Sequence, residues 1–252
     1  LSVALIVAVL GIVVRGAAYA VSAGTSRPWQ VRDLDAVSAL ASIVTPFFLG
    51  ACLGGIASAR VPYGNAKGDI VTSWLNPTSA IVGTLAIAVS AYLAAVYLSD
   101  DAQRRGEADL VEPYRRRALA AGTAAGLLAV AGLAVLHGDA HPLYDELVND
   151  RGLPAVIASG AAGLAALTLV LHRRFKPARY AAALAVAAIV AGWALAQEPR
   201  LLPGLTVDQA AAPRDVLVAV IVAVAGGGSI VIPSLVALLR LAVAGRLGDD
   251  SA

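Results

Sequence analysis

The sequence predicts an all-α fold, a polytopic bundle of transmembrane helices, and three observations carry that prediction. Hydrophobic residues make up 59% of the 252 and charged residues only 14%, with a mean hydropathy of +0.77. A soluble domain is about half apolar and a quarter charged, so a water-soluble enzyme is excluded as a class. Stretches nearly free of charge and long enough to cross a bilayer recur along the whole chain. These stretches are continuous rather than alternating, and backbone polar groups in hydrocarbon must pair within their own segment, which such runs achieve only as helices. The net charge of +2 gives no footprint for a nucleic-acid partner.

Seven spans follow, at about 2–21, 36–59, 76–99, 117–137, 153–172, 178–197 and 216–239, and the chain 1–252 reads as one integral membrane domain. The first span is apolar except for Arg15. Asp35 stands where it can cap the second, and Asn76 before Pro77 is a cap followed by proline at the first helical position of the third. The connection 100–117, acidic and then basic around Pro113, reads as a solvated loop ahead of the fourth span. Pro154 and the Pro213-Arg214-Asp215 stretch mark the fifth and seventh starts. Only Arg173 to Pro177 separates spans five and six, so this pair is expected as a helical hairpin. Pro46 and Pro233 fall inside spans two and seven, where each removes a helix hydrogen bond. With Gly226-Gly227-Gly228, Pro233 raises the alternative of an unwound turn of the kind discontinuous transporter helices use.

Orientation follows from the basic residues of alternate connections. Thirteen Lys and Arg, namely Arg27, Arg32, Arg104, Arg105, Arg115, Arg116, Arg117, Arg173, Arg174, Lys176, Arg179, Arg240 and Arg246, fall on one side. Five, namely Arg60, Lys67, Arg151, Arg200 and Arg214, fall on the other. The positive-inside rule makes the thirteen-charge side cytoplasmic, with residue 1 outside and the C-terminal tail inside. The chain starts at Leu1 and has no methionine, which reads as a missing N-terminus.

Few residues offer chemistry. Arg15 is an intramembrane charge, a functional candidate by default, yet it lies near enough to the span's end to snorkel. His137 and His141 have a spacing that suits a metal on a helix, but Gly138 and Pro142 argue for a solvated loop, and His172 is also terminal. No histidine is at mid-membrane, so no haem or metal is expected to be ligated by this chain. Cys52 is single and lies in an apolar run. Gly50 with Gly54, and Gly122 with Gly126, form small-residue motifs that suit close helix packing within the chain or against another subunit. Trp29, Trp74 and Trp193 occupy positions expected of an interfacial belt.

Particular strings are more specific. Thr45-Pro-Phe-Phe-Leu-Gly50, continuing through Gly54, Gly55 and Ala57 to Arg60-Val-Pro62, resembles subunit II of the cytochrome bd ubiquinol oxidases. So do Gly68-Asp69, Thr72-Ser-Trp-Leu-Asn-Pro77 and Ala91-Tyr-Leu-Ala-Ala-Val-Tyr-Leu98. Val14-Arg15-Gly16-Ala-Ala-Tyr19 is similar to the family's arginine-glycine-aromatic segment, and Gly192-Trp193, Ala196-Gln197-Glu-Pro199, Leu202-Pro203-Gly204 and Ala210-Ala-Ala-Pro213 resemble its penultimate hairpin. The family's first two helices have no counterpart, which agrees with the missing start.

The resemblance implies a bacterial inner-membrane complex that oxidises a quinol, reduces dioxygen to water and builds a proton gradient. It implies haem b and haem d in subunit I, the expected partner, with a quinone, lipid and a small accessory subunit as further companions. Arg15, Asp69, Trp74, Asn76 and Glu198 become the candidates for a polar path or a subunit boundary. Capping and interface anchoring are the plain alternative for Asp69, Trp74 and Asn76, and solvent exposure for Glu198. A solute or ion transporter and a membrane scaffold without redox work are the competing readings.

Overall fold

A computed structural model describes residues 1–24, 28–62 and 69–243. Arg27, Lys67, Gly68 and Arg246, which entered the charge count or the resemblance, lie outside the described residues. Each of the seven expected spans is one long apolar helix: α1 (Ser2–Gly24), α2 (Pro28–Ala57), α3 (Pro77–Arg105), α4 (Ala108–Asp139), α6 (Leu153–Leu171), α7 (Phe175–Gln197) and α9 (Arg214–Val243). Between them lie short α5 (His141–Val148), a hairpin of β1 (Arg200–Leu202) and β2 (Leu205–Thr206), and the single turn α8 (Val207–Ala210). Contacts divide the chain into two units, 1–207 and 208–252.

The helices outrun the expected spans where charge was taken as their end. Residues 100–117 are no loop: α3 runs to Arg105 and α4 starts at Ala108. The turn is made by Gly106 at φ 73, whose N–H donates to the carbonyls of Ala102 and Gln103. Charged residues mark where the chain leaves hydrocarbon, and helical hydrogen bonding continues past that point into the headgroup layer. Asp35 likewise lies inside α2 rather than capping it, because the helix already begins at Pro28, a residue suited to a first turn. His137 belongs to the last turn of α4 and His141 opens α5, so the expected loop there is two helices that meet at Ala140. Pro142 sits in the first turn of α5, where its missing N–H costs nothing. The expected hairpin of spans five and six is present: α6 and α7 are joined by His172, Arg173 and Arg174, and Arg174 N–H donates to Leu169 O at 2.8 Å.

Packing in the first unit rests on small residues. Gly50 and Gly54 face the start of α3: a methyl group at Gly50 would lie 2.8 Å from Val82 O, and one at Gly54 would lie 2.5 Å from Ser79 Cα. In return, a methyl at Gly83 would meet Phe47 O at 2.7 Å. The α2–α3 crossing is therefore backbone against backbone, which glycine alone permits. Gly122 meets the Tyr92 ring and Leu167, whereas Gly126 faces open space, so only half of the second motif serves packing within the chain. The bundle of α3, α4, α6 and α7 closes around Tyr92, Ala95, Val96, Ala118, Ala166, Val170, Phe175, Ala178 and Ala182. Along α7, buried Ala178, Ala182, Ala185, Gly192 and Ala196 recur at spacings of three, four or seven, a seam of small knobs that brings neighbouring axes close. A second cluster, Leu136, Ala140, Leu143, Leu147 and Ala196, seats α5 against α4 and α7.

In the second unit α9 runs unbroken from Arg214 to Val243 through Gly226, Gly227, Gly228 and Pro233. The unwound turn is absent. Val220, Ile221, Val222 and Val224 are exposed in succession, so the helix is apolar around its circumference, the pattern of a membrane span.

Candidate functional site

Apart from Arg15 on α1, the charged side chains that pair in the first unit gather at the two ends of the bundle. At the end where α3 begins, Asn76 is the N-cap, with extended backbone, and its Oδ1 accepts from Ser79 N–H at 2.8 Å. The neighbouring free N–H, that of Thr78, donates to Asp139 Oδ2 at 3.3 Å, and Thr78 Oγ1 donates to the same oxygen at 2.6 Å. Asp139 is the last residue of α4, so α4 helps to cap α3. Arg60, three residues past α2, closes the arrangement with two parallel bonds, Nη1 to Oδ2 at 2.9 Å and Nη2 to Oδ1 at 2.6 Å. Its hydrogen bond to Asp139 holds the guanidinium pKa above its ordinary value. One carboxylate thus joins the end of α2, the start of α3 and the end of α4.

The opposite end is rich in arginine. Arg115, early in α4, donates from Nε to Val170 O at 3.1 Å and from Nη2 to Leu171 O at 3.0 Å, closing the carbonyl end of α6. Glu112 accepts from Arg115 Nη1 at 3.1 Å, Arg116 Nε at 3.3 Å and Arg173 Nη2 at 3.0 Å, so it ties the α3–α4 turn to the α6–α7 turn. Asp100, 2% exposed in the last turns of α3, takes Arg179 Nη1 of α7 at 2.8 Å and Arg104 Nη2 at 3.0 Å on the same Oδ2. The Arg179 guanidinium lies 5.2 Å from both the Tyr97 and the Tyr180 ring centres.

Of the residues singled out from the sequence, Asp69, Trp74 and Asn76 come together in the one turn that leads into α3. Asp69 Oδ1 accepts from Val71 N–H at 2.7 Å and Thr72 N–H at 3.0 Å. Those backbone bonds, that from Thr72 foremost, hold its carboxyl below the usual carboxylate range. Trp74 Nε1 donates to Ile70 O at 2.9 Å, and its ring lies 5.4 Å from that of Phe48. Arg15 stands on the exposed side of α1 with no hydrogen bond or ion pair among the described residues. Glu198 is exposed just past α7. Neither joins the turn.

The described residues gather no cluster of three or more metal-ligating side chains. His137, His141 and His172 are exposed at helix ends, and Nδ1 of His141 and of His172 faces the carbonyls of His137 at 3.2 Å and Thr168 at 2.7 Å. The rings of His137 and His141 stand 5.0 Å apart, but no three His, Cys, Asp or Glu side chains converge there or elsewhere among the described residues.

Sequence reasoning counted Arg115 and Arg179 only for orientation, used Arg60 for orientation and in the Arg60-Val-Pro62 string, and passed over Asp100, Glu112 and Thr78. A usable signal existed for Asp100: an acid eight residues after buried Tyr92 continues the same helical face once α3 is extended past position 99.

Seven apolar helices, charged groups that, Arg15 apart, pair near the helix ends, and a bundle core rich in alanine define a polytopic membrane protein whose polar chemistry holds helices together. The chain belongs to the family of cytochrome bd terminal oxidase subunit II, whose family model matches residues 1–242. No curated relative matches it. Membership implies a respiratory oxidoreductase complex with an oxidase subunit I as partner, in a bacterial membrane.

Proposed function

We propose that this chain is the supporting subunit of a quinol:oxygen oxidoreductase, packed against a subunit I that carries haem b and haem d. That complex oxidises quinol, reduces dioxygen to water and contributes to a proton gradient. The observation that carries the reading is the family match over residues 1–242. It is supported by the histidines, all of which sit at helix ends, exposed on the chain surface. The transporter reading loses its motive, because α9 continues unbroken through the glycines and Pro233.

Arg15 is the residue we place at the subunit boundary. A guanidinium on an exposed face of an apolar helix needs water, headgroups or a partner, and α1 offers none among the described residues. Asp69, Trp74 and Asn76 shape the turn before α3, and Glu198 follows α7, at the end opposite the arginine-rich one. The positive-inside rule sets the arginine-rich end toward the cytoplasm. A bound quinone and a small accessory subunit belong to the same reading.

The test is deletion of the gene in its own host, with subunit I retained. Reduced-haem absorbance in the membranes and quinol-driven oxygen uptake should both fall to background and return on complementation. Membranes that keep both signals without this chain overturn the reading. Arg15→Leu should lower haem occupancy or turnover and Arg15→Lys should do so less; unchanged uptake in both removes Arg15 from the boundary.

A further inference from the structure

Between α3 and α7 at the arginine-rich end, two guanidinium groups share one carboxylate oxygen. Arg104 and Arg179 both reach Asp100 Oδ2, at 3.0 and 2.8 Å, so the cluster keeps one positive charge in excess. Its layering is directional. The Asp100 side chain is 3% exposed, that of Arg179 23% and that of Arg104 50%, so the acid lies behind and the cations face outward. Among the described residues Arg179 Nε has no partner and its Nη2 makes no hydrogen bond.

The surroundings match the headgroup layer of a bilayer. Tyr97 and Tyr180 flank the Arg179 guanidinium and are themselves 41% and 60% exposed, apolar rings with hydroxyl donors of the kind that settle at membrane interfaces. One turn along α7 from Tyr180, on the same face, Leu184 is exposed and continues the apolar surface toward the membrane interior. Elsewhere at this end Glu112 gathers three arginines at an open surface, without such an aromatic frame.

We propose that Arg104 and Arg179, framed by Tyr97 and Tyr180, seat the phosphodiester of a phospholipid, whose acyl chains run down α7 past Leu184. A phosphodiester carries the single negative charge that neutralises the cluster. Arginine presents several N–H donors in a fixed fork that suits phosphate oxygens, and the pair with Asp100 keeps the Arg179 fork in place before the lipid arrives. The inference stands apart from the redox reading and needs only that the chain spans a membrane.

The experiment uses the full chain purified in detergent with the subunits that accompany it, stripped by repeated detergent exchange and titrated with dioleoyl phosphatidylglycerol under native mass spectrometry. Wild type should hold one lipid more firmly than Arg104→Gln does, by roughly fivefold, the effect of one guanidinium near a membrane surface. Because Arg179→Gln alone strands the buried acid, the second variant is the neutral pair Asp100→Asn with Arg179→Gln, which should lose the lipid in the same way. Dioleoylglycerol, which lacks the phosphate, should not be retained. Arg117→Gln, 5.8 Å from Tyr114 and outside the cluster, should bind as wild type does. Equal retention by wild type and both cluster variants overturns the proposal. Equal loss in Arg117→Gln overturns it too, since that would mean diffuse attraction, and so does displacement of the lipid by millimolar inorganic phosphate, which would make the ligand a free ion.

Discussion

Where α3 begins, an acid from a neighbouring helix closes an N-terminus; at the other end of the bundle, a base from that same neighbour closes a C-terminus. Asp139 and Arg115 both belong to α4, the first accepting from Thr78 at the start of α3 and the second donating to Val170 and Leu171 at the end of α6. Asp139 has the unfavourable sign for its own helix, whose last turn suits bases, and Arg115, two turns into α4, draws nothing from that helix's dipole. Each has the favourable sign for the helix it touches. The 32 residues of α4 run about 48 Å, longer than the roughly 30 Å hydrocarbon layer, so both side chains sit near headgroup depth, where a charge is affordable. The ends differ in how the acid is held. Asp139 is shared by three elements and partly open, whereas Asp100 at the arginine-rich end is closed off between α3 and α7. An ion pair inside a helix–helix seam and one at a helix mouth should therefore respond differently to the loss of a partner.

The largest effect is expected at the seam. Asp100→Ala leaves the partly buried Arg179 without its counter-charge and should cost about 3 kcal/mol, the lower part of the range for breaking a buried pair. Thermal unfolding of the detergent-solubilised complex reads this directly. Adding Arg179→Leu should recover most of the loss, because removing both charges also removes the desolvation penalty. A double variant as unstable as the single one would break the contrast between the two ends.

Asp139→Ala should cost less, about 2 kcal/mol, because Arg60 is 37% exposed at its side chain and rehydrates when freed, while Thr78 loses a charged acceptor. Arg60→Ala should fall below that, since the carboxylate keeps Thr78. If Asp139→Ala proves as costly as Asp100→Ala under the same melt, the helix mouth is as dry as the seam and the distinction disappears.

How much of this was legible depends on which rule a residue obeys. Asn76 and Pro77 follow the local rules of a helix start, and both fall where the sequence sets them. The small residues of α2 also declared themselves, because Gly50 and Gly54 lie one turn apart on a face that only backbone can approach. Asp139 and Arg115 serve helices other than their own, so a residue-by-residue reading assigns them to loops. Their purpose appears only once α3 and α6 are beside α4. Helix ends were misjudged for a related reason: hydropathy reports the edge of the hydrocarbon, and the last turns of α3 and the first of α4 are helical in polar surroundings. Arg15 remains a lone charge on α1, for which the chain itself supplies no partner among the described residues.

Asn76→Ala separates the two caps of α3. Loss of the Oδ1 bond to Ser79 N–H should cost about 1 kcal/mol, the usual worth of an N-cap. Asp139 still serves Thr78 in that variant, so the pair Asn76→Ala with Asp139→Ala should cost more than the sum of the single changes if the caps substitute for one another. Strict additivity in the same melts would mean that each N–H is served independently.

The smallest effect concerns Asp69, at the turn that carries the chain into that capped start, and it is a matter of pH. Its folded pKa is lowered by the N–H groups of Thr72 and Val71, so the ionised carboxylate holds the turn and the unfolded chain binds the proton more readily. The contribution is fully present above the unfolded carboxylate value, near 4, and is lost as pH falls through the lower folded value. Because Asp69 is exposed and held by backbone N–H groups of its own turn, acid should loosen that turn locally. Amide exchange at Val71 and Thr72, corrected for its intrinsic pH dependence, should speed up below about pH 4 relative to amides in the middle of α3. Asp69→Asn should abolish that acid dependence, since an amide keeps its acceptor and does not titrate. Were the variant to show the same acid response, the proton would be landing on a group other than Asp69.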